Sequence, residues 1–321
     1  MPTSHLALPM HDLPTASFQD RTLIRIGEPH AEGSMLLLAP EAGGRLVRWR
    51  HRGEDILFWP EPADWTNPAK VRGGNPLLFP FIGRHFVDGE VGRWRDARGQ
   101  LHELPQHGFA RDLPFEVEDA SDAHIVLLLR DSPQTRQGYP FAFEFRVTYR
   151  LIHDGLEATF SVKHLDEGDT HATMPFYAGH HFYLALPHAL RGATELLMPP
   201  SRLSRQLADG SLDRPEPGRG NYQLDDPALQ DRYHLLDDAG AATLVIPPHP
   251  EAPLGRRIRF EVDGAPVPWH AITSWAENAT SDFYCVEPWM GLPNAIHHGE
   301  GLHLLAPGEA RQATCRLRIA R

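Results

Sequence analysis

Apolar and polar residues alternate along this chain with a period of two. Between residues 141 and 151 the odd positions are Phe141, Phe143, Phe145, Val147, Tyr149 and Leu151, separated by Ala142, Glu144, Arg146, Thr148 and Arg150. Successive side chains of an extended strand point to opposite faces, so the pattern predicts a strand with one buried face. Residues 156–164 repeat it, with Leu156, Ala158, Phe160 and Val162 set against Glu157, Thr159, Ser161 and Lys163. His153-Asp154-Gly155 lies between the two and is rich in turn formers, which predicts a hairpin. Further strands are predicted at 34–38, 45–50, 124–130, 242–246, 257–262, 283–287 and 314–319.

Strands at this density, broken by glycine and proline clusters and not alternating with helices, predict an all-β fold, a large antiparallel β-sandwich. Helix signals are short and weak, at 63–67 and 227–232. Residues 201–222 are polar and rich in Arg, Gly and Pro, and read as a long excursion over the surface. Residues 1–21 read as a loose N-terminal arm and 22–321 as a single domain; β-sandwiches of more than about 200 residues are common as one unit.

Composition narrows the partners. Thirty-one basic against 42 acidic side chains give a net charge of −11, and the basic residues form no tail or stripe. That balance argues against nucleic acid, whose binding rests on neutralised phosphates. No run approaches the length of about 18 apolar residues that spans a bilayer, and the first twenty residues lack a secretory pattern. A cytoplasmic protein acting on a small soluble molecule, as a monomer or homodimer, is expected. Cys285 and Cys315 sit among alternating residues and are expected as buried free thiols. There is no His-x-His, His-Glu-x-x-His or Cys-x-x-Cys, no phosphate-binding glycine loop and no nucleophile elbow, so neither metal nor cofactor is expected.

Four segments combine ionisable residues with glycine, proline and aromatics: 73–84, 107–111, 179–183 and 285–289. Glu287, at a strand end before Pro288 and among Tyr284 and Trp289, reads either as a partly desolvated general base or as an exposed or arginine-paired glutamate. His181 titrates in the range useful for proton transfer, and on a strand its ring must point away from that of His180. His107 precedes Gly108 at a sharp turn, with His102 as a rival for the same role. Arg84 follows Gly83 and offers a planar fork of donors to hydroxyls or a carboxylate.

In their order and wording the segments resemble the aldose 1-epimerase (galactose mutarotase-like) family. The resemblance runs from about Ile24 to Ile319 and rests on Gly-Gly-x-Pro-Leu-Leu-Phe-Pro around Asn75, on residues 107–111 and 179–183, and on Glu287-Pro288 followed by Leu305-Ala306-Pro307-Gly308-Glu309. It implies a supersandwich with a sugar-binding cleft on one sheet and no cofactor. Glu287 falls on the family's catalytic base and His181 on its acid, with Tyr183 in register. His107, Arg84 and Asp231 fall on substrate-binding positions, and Trp275, Trp289 and Tyr183 are candidates to stack on a sugar.

The implied reaction interconverts the anomers of a hexose by ring opening, with acid and base on opposite sides of the sugar. Phe182, Leu184 and Asn294 depart from residues common in the family, and His107-Gly108-Phe109-Ala110-Arg111 is nearer to the hexose-6-phosphate mutarotase branch. A phosphorylated hexose, with Arg111 or Arg72 as a further cation, is therefore one alternative. A non-catalytic carbohydrate-binding protein of the same fold is another.

Overall fold

The computed structural model describes residues 13–30, 33–165, 173–238, 240–250, 255–265 and 267–320. Two large antiparallel sheets dominate. The nine-stranded sheet runs Glu116–Ala120, His124–Arg130, Phe143–Ile152, Gly155–His164, Ala310–Ala320, Arg256–Val262, Ala241–Ile246, Glu195–Leu197 and Asn221–Gln223. The second runs Glu216–Pro217, Ser201–Ser204, Arg232–Leu236, Ala271–Trp275, Phe283–Trp289, Gly179–His180 and Leu77–Leu78, with Tyr183–Ala185 also paired to Phe283–Trp289. A five-stranded sheet carries Ser34–Ala39 and Arg45–His51.

The period-two reading locates the hairpin. Phe143–Ile152 pairs with Gly155–His164 from Phe143↔His164 to Ile152↔Gly155, closing on His153 and Asp154. Phe145, Val147, Tyr149 and Phe160 are fully buried, as their alternation demands. They share one core with Leu235, Ile272, Tyr284 and Val286 from the second sheet. Phe160 stacks on His180 with ring centroids 4.0 Å apart, so the two sheets meet face to face there.

Several expectations are corrected. Residues 63–67 form no helix; a 3-10 turn follows at Pro68–Lys70. Residues 227–232 hold only the 3-10 turn Pro227–Leu229, begun by the Asp226 carboxylate accepting from Ala228 N–H, before Arg232 enters a strand. The polar stretch 201–222 contributes the edge strand Glu216–Pro217, the start of the edge strand Asn221–Gln223, and Ser201–Ser204 one strand in from an edge; a strand exposed at an edge needs no apolar alternation. Within the expected N-terminal arm, Thr15–Phe18 pairs with Arg21–Gly27, and Ala16 and Phe18 pack on Leu23, Leu37 and Val47. Residues 1–12 of that arm lie outside the described residues. Pro288 does not end its strand, which continues to Trp289. Proline is tolerated because that strand's ladder to Gly179–His180 and Tyr183–Ala185 is broken opposite it.

The core holds imidazoles that must stay neutral. His234, on the strand Arg232–Leu236, is fully buried, and neither ring nitrogen has a partner among the described residues. Burial, helped by Arg232, pushes its pKa down to about 4. In the unfolded chain it titrates near 6.5, so its contribution is complete above that pH and is lost as pH falls toward 4. His234→Leu should remove up to about 3 kcal/mol of that acid-induced loss by pH 4, while stability at pH 8 is unchanged or raised. Urea unfolding of both proteins across that range reads the difference; parallel curves would show that His234 does not carry it.

Candidate active site

Along Phe283–Trp289 the side chains divide by parity. Tyr284 and Val286 enter the inter-sheet core, whereas Phe283 and Cys285 join a separate cluster with Tyr183, Phe58 and Trp275 on the opposite face. Glu287 lies on that opposite face, cross-strand from Thr273, and Trp275 is cross-strand from Cys285. A cleft of about 720 Å³ opens above them. It brings together Glu287, His181, His107, Arg84, Arg111, Asp231, Trp275 and Trp289, residues spread over some 200 positions of sequence.

Glu287 forms part of the floor and is 1% exposed. Its Oε2 accepts from Trp289 Nε1–H at 3.2 Å, and its Oε1 lies 3.4 Å from His181 Nδ1. Burial drives its pKa well above the usual carboxylate range; the Trp289 hydrogen bond opposes this and Asp231 adds to it. His181 is shifted the other way. Burial first, then Arg111, Arg45 and Arg72, hold its pKa well below that of a free imidazole. Both shifts favour the uncharged form, and a proton passed from Glu287 to His181 would convert the pair into a carboxylate and an imidazolium.

The His180-His181 pair divides as a strand requires. His180 is in the core between Phe160 and Phe182, and His181 faces the cleft with its ring stacked on Tyr183 at 4.6 Å and an interplanar angle of 4°. Tyr183, expected to touch a sugar, is instead 2% exposed behind His181. Two residues apart on an extended chain, it shares the face of His181 one step deeper.

His107 and not His102 reaches the cleft. His102 stacks on Trp94 at 4.7 Å and meets Asp96 at 3.2 Å. His107 has φ 66°, and Gly108 after it has φ 71°; a Cβ on Gly108 would lie 2.1 Å from the Phe79 carbonyl oxygen, so only glycine fits the turn. The turn lets His107 Nδ1 accept from Gly83 N–H at 3.1 Å. A backbone N–H can only donate, so the neutral ring carries its proton on Nε2. Burial, with Arg111 and His181 nearby, holds its pKa well below the usual value, and His107 is thus a neutral hydrogen-bond donor.

Cations crowd the walls. Lys70, Arg72, Arg84, Arg111, Arg205 and Arg232 line the cleft, facing the carboxyl groups of Asp231 and Glu287. Arg72 lies over Trp275 at 5.4 Å and pairs with Glu277 at 3.2 Å. Arg111 donates to the Gln106 carbonyl at 2.8 Å. Arg205 and Arg232 share Asp213, at 3.5 and 3.2 Å. Arg84 is exposed at the rim, and its carbonyl accepts from Gln206 Nε2 at 2.9 Å, tying its loop to the 205–208 segment.

Sequence reasoning missed the contribution of residues 205–208, because a polar loop with no periodicity carries no mark of where it folds. It also missed Thr273, which is 3% exposed, lines the cleft and has no partner for its hydroxyl. The signal available was its strand: Ala271, Thr273 and Trp275 alternate with Ile272 and Ser274.

The thiol of Cys285, the ring of His181 and the carboxyl of Glu287 place ligand-type atoms within 4.8 Å of one another. A tetrahedral Zn²⁺ with bonds of about 2.0–2.3 Å draws its ligands closer than that. Burial also keeps the Cys285 thiol and the Glu287 carboxyl protonated, so the trio as placed does not fit a metal.

A carboxyl whose pKa is raised on folding costs stability as pH climbs above its unfolded value, since the unfolded chain releases the proton and the native site retains it. Glu287→Gln keeps the acceptor for Trp289 without that cost. The variant should melt at the same temperature as the wild type near pH 4 and at a higher one at pH 7. Equal melting temperatures at both pH values would show that Glu287 is not desolvated.

The family model described as aldose 1-epimerase matches residues 30–198. The chain is 25% identical over 273 residues to the chromosomal LacX protein of Lactococcus lactis subsp. lactis, covering 80% of this chain and 85% of that one. It is 28% identical over 134 residues to a putative glucose-6-phosphate 1-epimerase of Escherichia coli K12, covering 40% of each. Among solved structures, the Slr1438 protein of Synechocystis sp. PCC 6803 superposes with a TM-score of 0.78 at 26% identity, over 95% of this chain and 98% of that one. A galactose mutarotase related enzyme from Lactobacillus acidophilus gives 0.74 at 25% identity, over 93% and 97%. With the family model spanning more than half of the sequence and the fold shared nearly end to end, the chain belongs to the aldose 1-epimerase family.

Proposed function

We propose that the protein is an aldose 1-epimerase that interconverts the α and β anomers of a hexose without a cofactor. The observation that carries this reading is the Glu287–His181 pair, two buried groups 3.4 Å apart on the floor of a cleft large enough for a pyranose. Transfer of the Glu287 proton to His181 arms the pair. The Glu287 carboxylate then takes the proton of the anomeric hydroxyl as the bond from C1 to the ring oxygen breaks, and His181 gives its proton to that oxygen. Rotation about the C1–C2 bond and reversal of both transfers closes the ring on the other face.

Acid and base were expected on opposite sides of the sugar, and they are neighbours. Adjacency suffices because the two oxygens that exchange protons are bonded to the same carbon. The Nε2–H of His107 and the Arg84 guanidinium supply donors to the sugar oxygens, Asp231 an acceptor, and Trp275 and Trp289 flat apolar faces.

The crowding of cations favours a second reading, a hexose carrying a phosphate. Lys70, Arg84 and Arg111 line the cleft in a chain of net charge −11, and some relatives bear the name putative glucose-6-phosphate 1-epimerase. A dianion would be drawn to such a wall.

Polarimetry on freshly dissolved α-D-glucose, α-D-galactose and α-D-glucose 6-phosphate tests both. Accelerated relaxation with at least one sugar is expected, reduced about 10²- to 10⁴-fold in Glu287→Gln. If the phosphate ester is the substrate, Arg111→Ala should raise KM for it far more than for glucose. No acceleration with any of the three would overturn the enzymatic reading in favour of a binding protein.

A further inference from the structure

The ladder that should hold His181 opposite Glu287 is interrupted. Gly179 pairs with Trp289, and pairing with that strand resumes only at Tyr183↔Cys285. On its other edge the chain pairs with Leu77–Leu78 only as far as His180↔Leu77, which leaves the His181 N–H in a gap. A side chain closes it. Asn75, fully buried, accepts the His181 N–H on Oδ1 at 2.8 Å. Its Nδ2 donates to Tyr149 Oη at 2.8 Å and to His180 Nδ1 at 2.9 Å. Both amide hydrogens and the carbonyl are thus engaged, which fixes the amide's orientation and leaves His180 with its proton on Nε2.

The Asn75 backbone is itself anchored, its N–H donating to the Leu46 carbonyl at 2.8 Å, and the neighbouring Gly74 carbonyl accepts from Tyr183 N–H at 2.9 Å. Gly74 and Asn75 therefore hold the chain at both residues whose rings stack, His181 and Tyr183. Without that grip the His181 ring has no polar tether of its own, since its Nδ1 makes no hydrogen bond among the described residues.

Resting on the proposed acid–base role of His181, we infer that Asn75 is a positioning residue for it, a side chain that replaces a missing ladder bond and holds the imidazole within proton-transfer distance of Glu287. Displacement of a catalytic group by about 1 Å costs on the order of 100-fold in rate, so the effect should fall on kcat and not on KM.

Two variants and two readouts test this. Asn75→Leu fills the space but offers no acceptor; kcat should drop about 100-fold with KM nearly unchanged. Asn75→Asp keeps the acceptor for His181 N–H, while the Tyr149 hydroxyl turns to donate and His180 moves its proton to Nδ1. It should retain most of kcat. The added negative charge should also shift the His181 limb of the pH–rate profile to higher pH.

Proton NMR of the histidine rings reports independently of turnover: in Asn75→Leu the His181 resonances should shift and broaden, and those of His107 should not. An Asn75→Leu protein with wild-type kcat and unchanged His181 resonances would overturn the inference. So would an Asn75→Asp protein that loses kcat as completely as the leucine variant, with its pH profile unmoved. Were the wild type inactive on every sugar tested, the epimerase reading would fail, and the NMR comparison alone would still decide whether Asn75 positions His181.

Discussion

Everything in the cleft depends on the cost of burying charge. A carboxylate and an imidazolium withdrawn from water each lose several kcal/mol of hydration, and that loss is recovered only where geometry and hydrogen bonding compensate it. Glu287 and His181 avoid the cost in the free protein by remaining neutral, Glu287 with its proton and His181 without one. The neutral and the charged pair differ by one proton moved between them. Burial thereby does two things at once: it favours a pair without charge on the cleft floor, and it stores an acid and a base that one transfer releases.

The scaffold makes this possible because the second sheet has two different faces. Its inner face carries Tyr284, Val286 and Ile272 into the core shared with the hairpin of residues 143–164. Its outer face carries Glu287, Thr273 and Trp275 toward the cleft at alternate positions of the same strands. Rigid strands fix Glu287, whereas the groups that would recognise a substrate come from turns. His107 and Asp231 both have positive φ, at 66° and 53°, which a β-carbon tolerates only when surrounding contacts hold it there.

The legibility of the sequence follows from this division. Period-two alternation exposes a strand with one buried face, so the hairpin could be read directly, as could the divergence of His180 and His181; the strand at 34–38, buried on both faces, was legible instead as a short apolar run. Short strands at or near sheet edges, such as Thr15–Phe18 and Ser201–Ser204, have too few residues to establish a period and were not read. Glu287, His181, His107 and Arg84 stood out through motif resemblance, not through spacing. Nothing in the sequence could show that His102 stacks on Trp94 while His107 enters the cleft, because both flank the same turn. Tyr183 was misplaced for the opposite reason: alternation gives the face of a side chain and not its depth. The polar run 205–208 reaches the cleft through tertiary contacts such as Gln206 to the Arg84 carbonyl, which leave no periodic trace.

The most direct test of the account is the protonation state of Glu287 at neutral pH. Infrared difference spectroscopy between wild type and Glu287→Gln at pH 7 isolates that one side chain. The account predicts a carbonyl band of a protonated carboxylic acid in the wild type that the variant lacks, giving way to carboxylate bands when a substrate is added. A difference spectrum showing only carboxylate bands in the free protein would mean that Glu287 is ionised in its buried site, and would contradict the neutral pair.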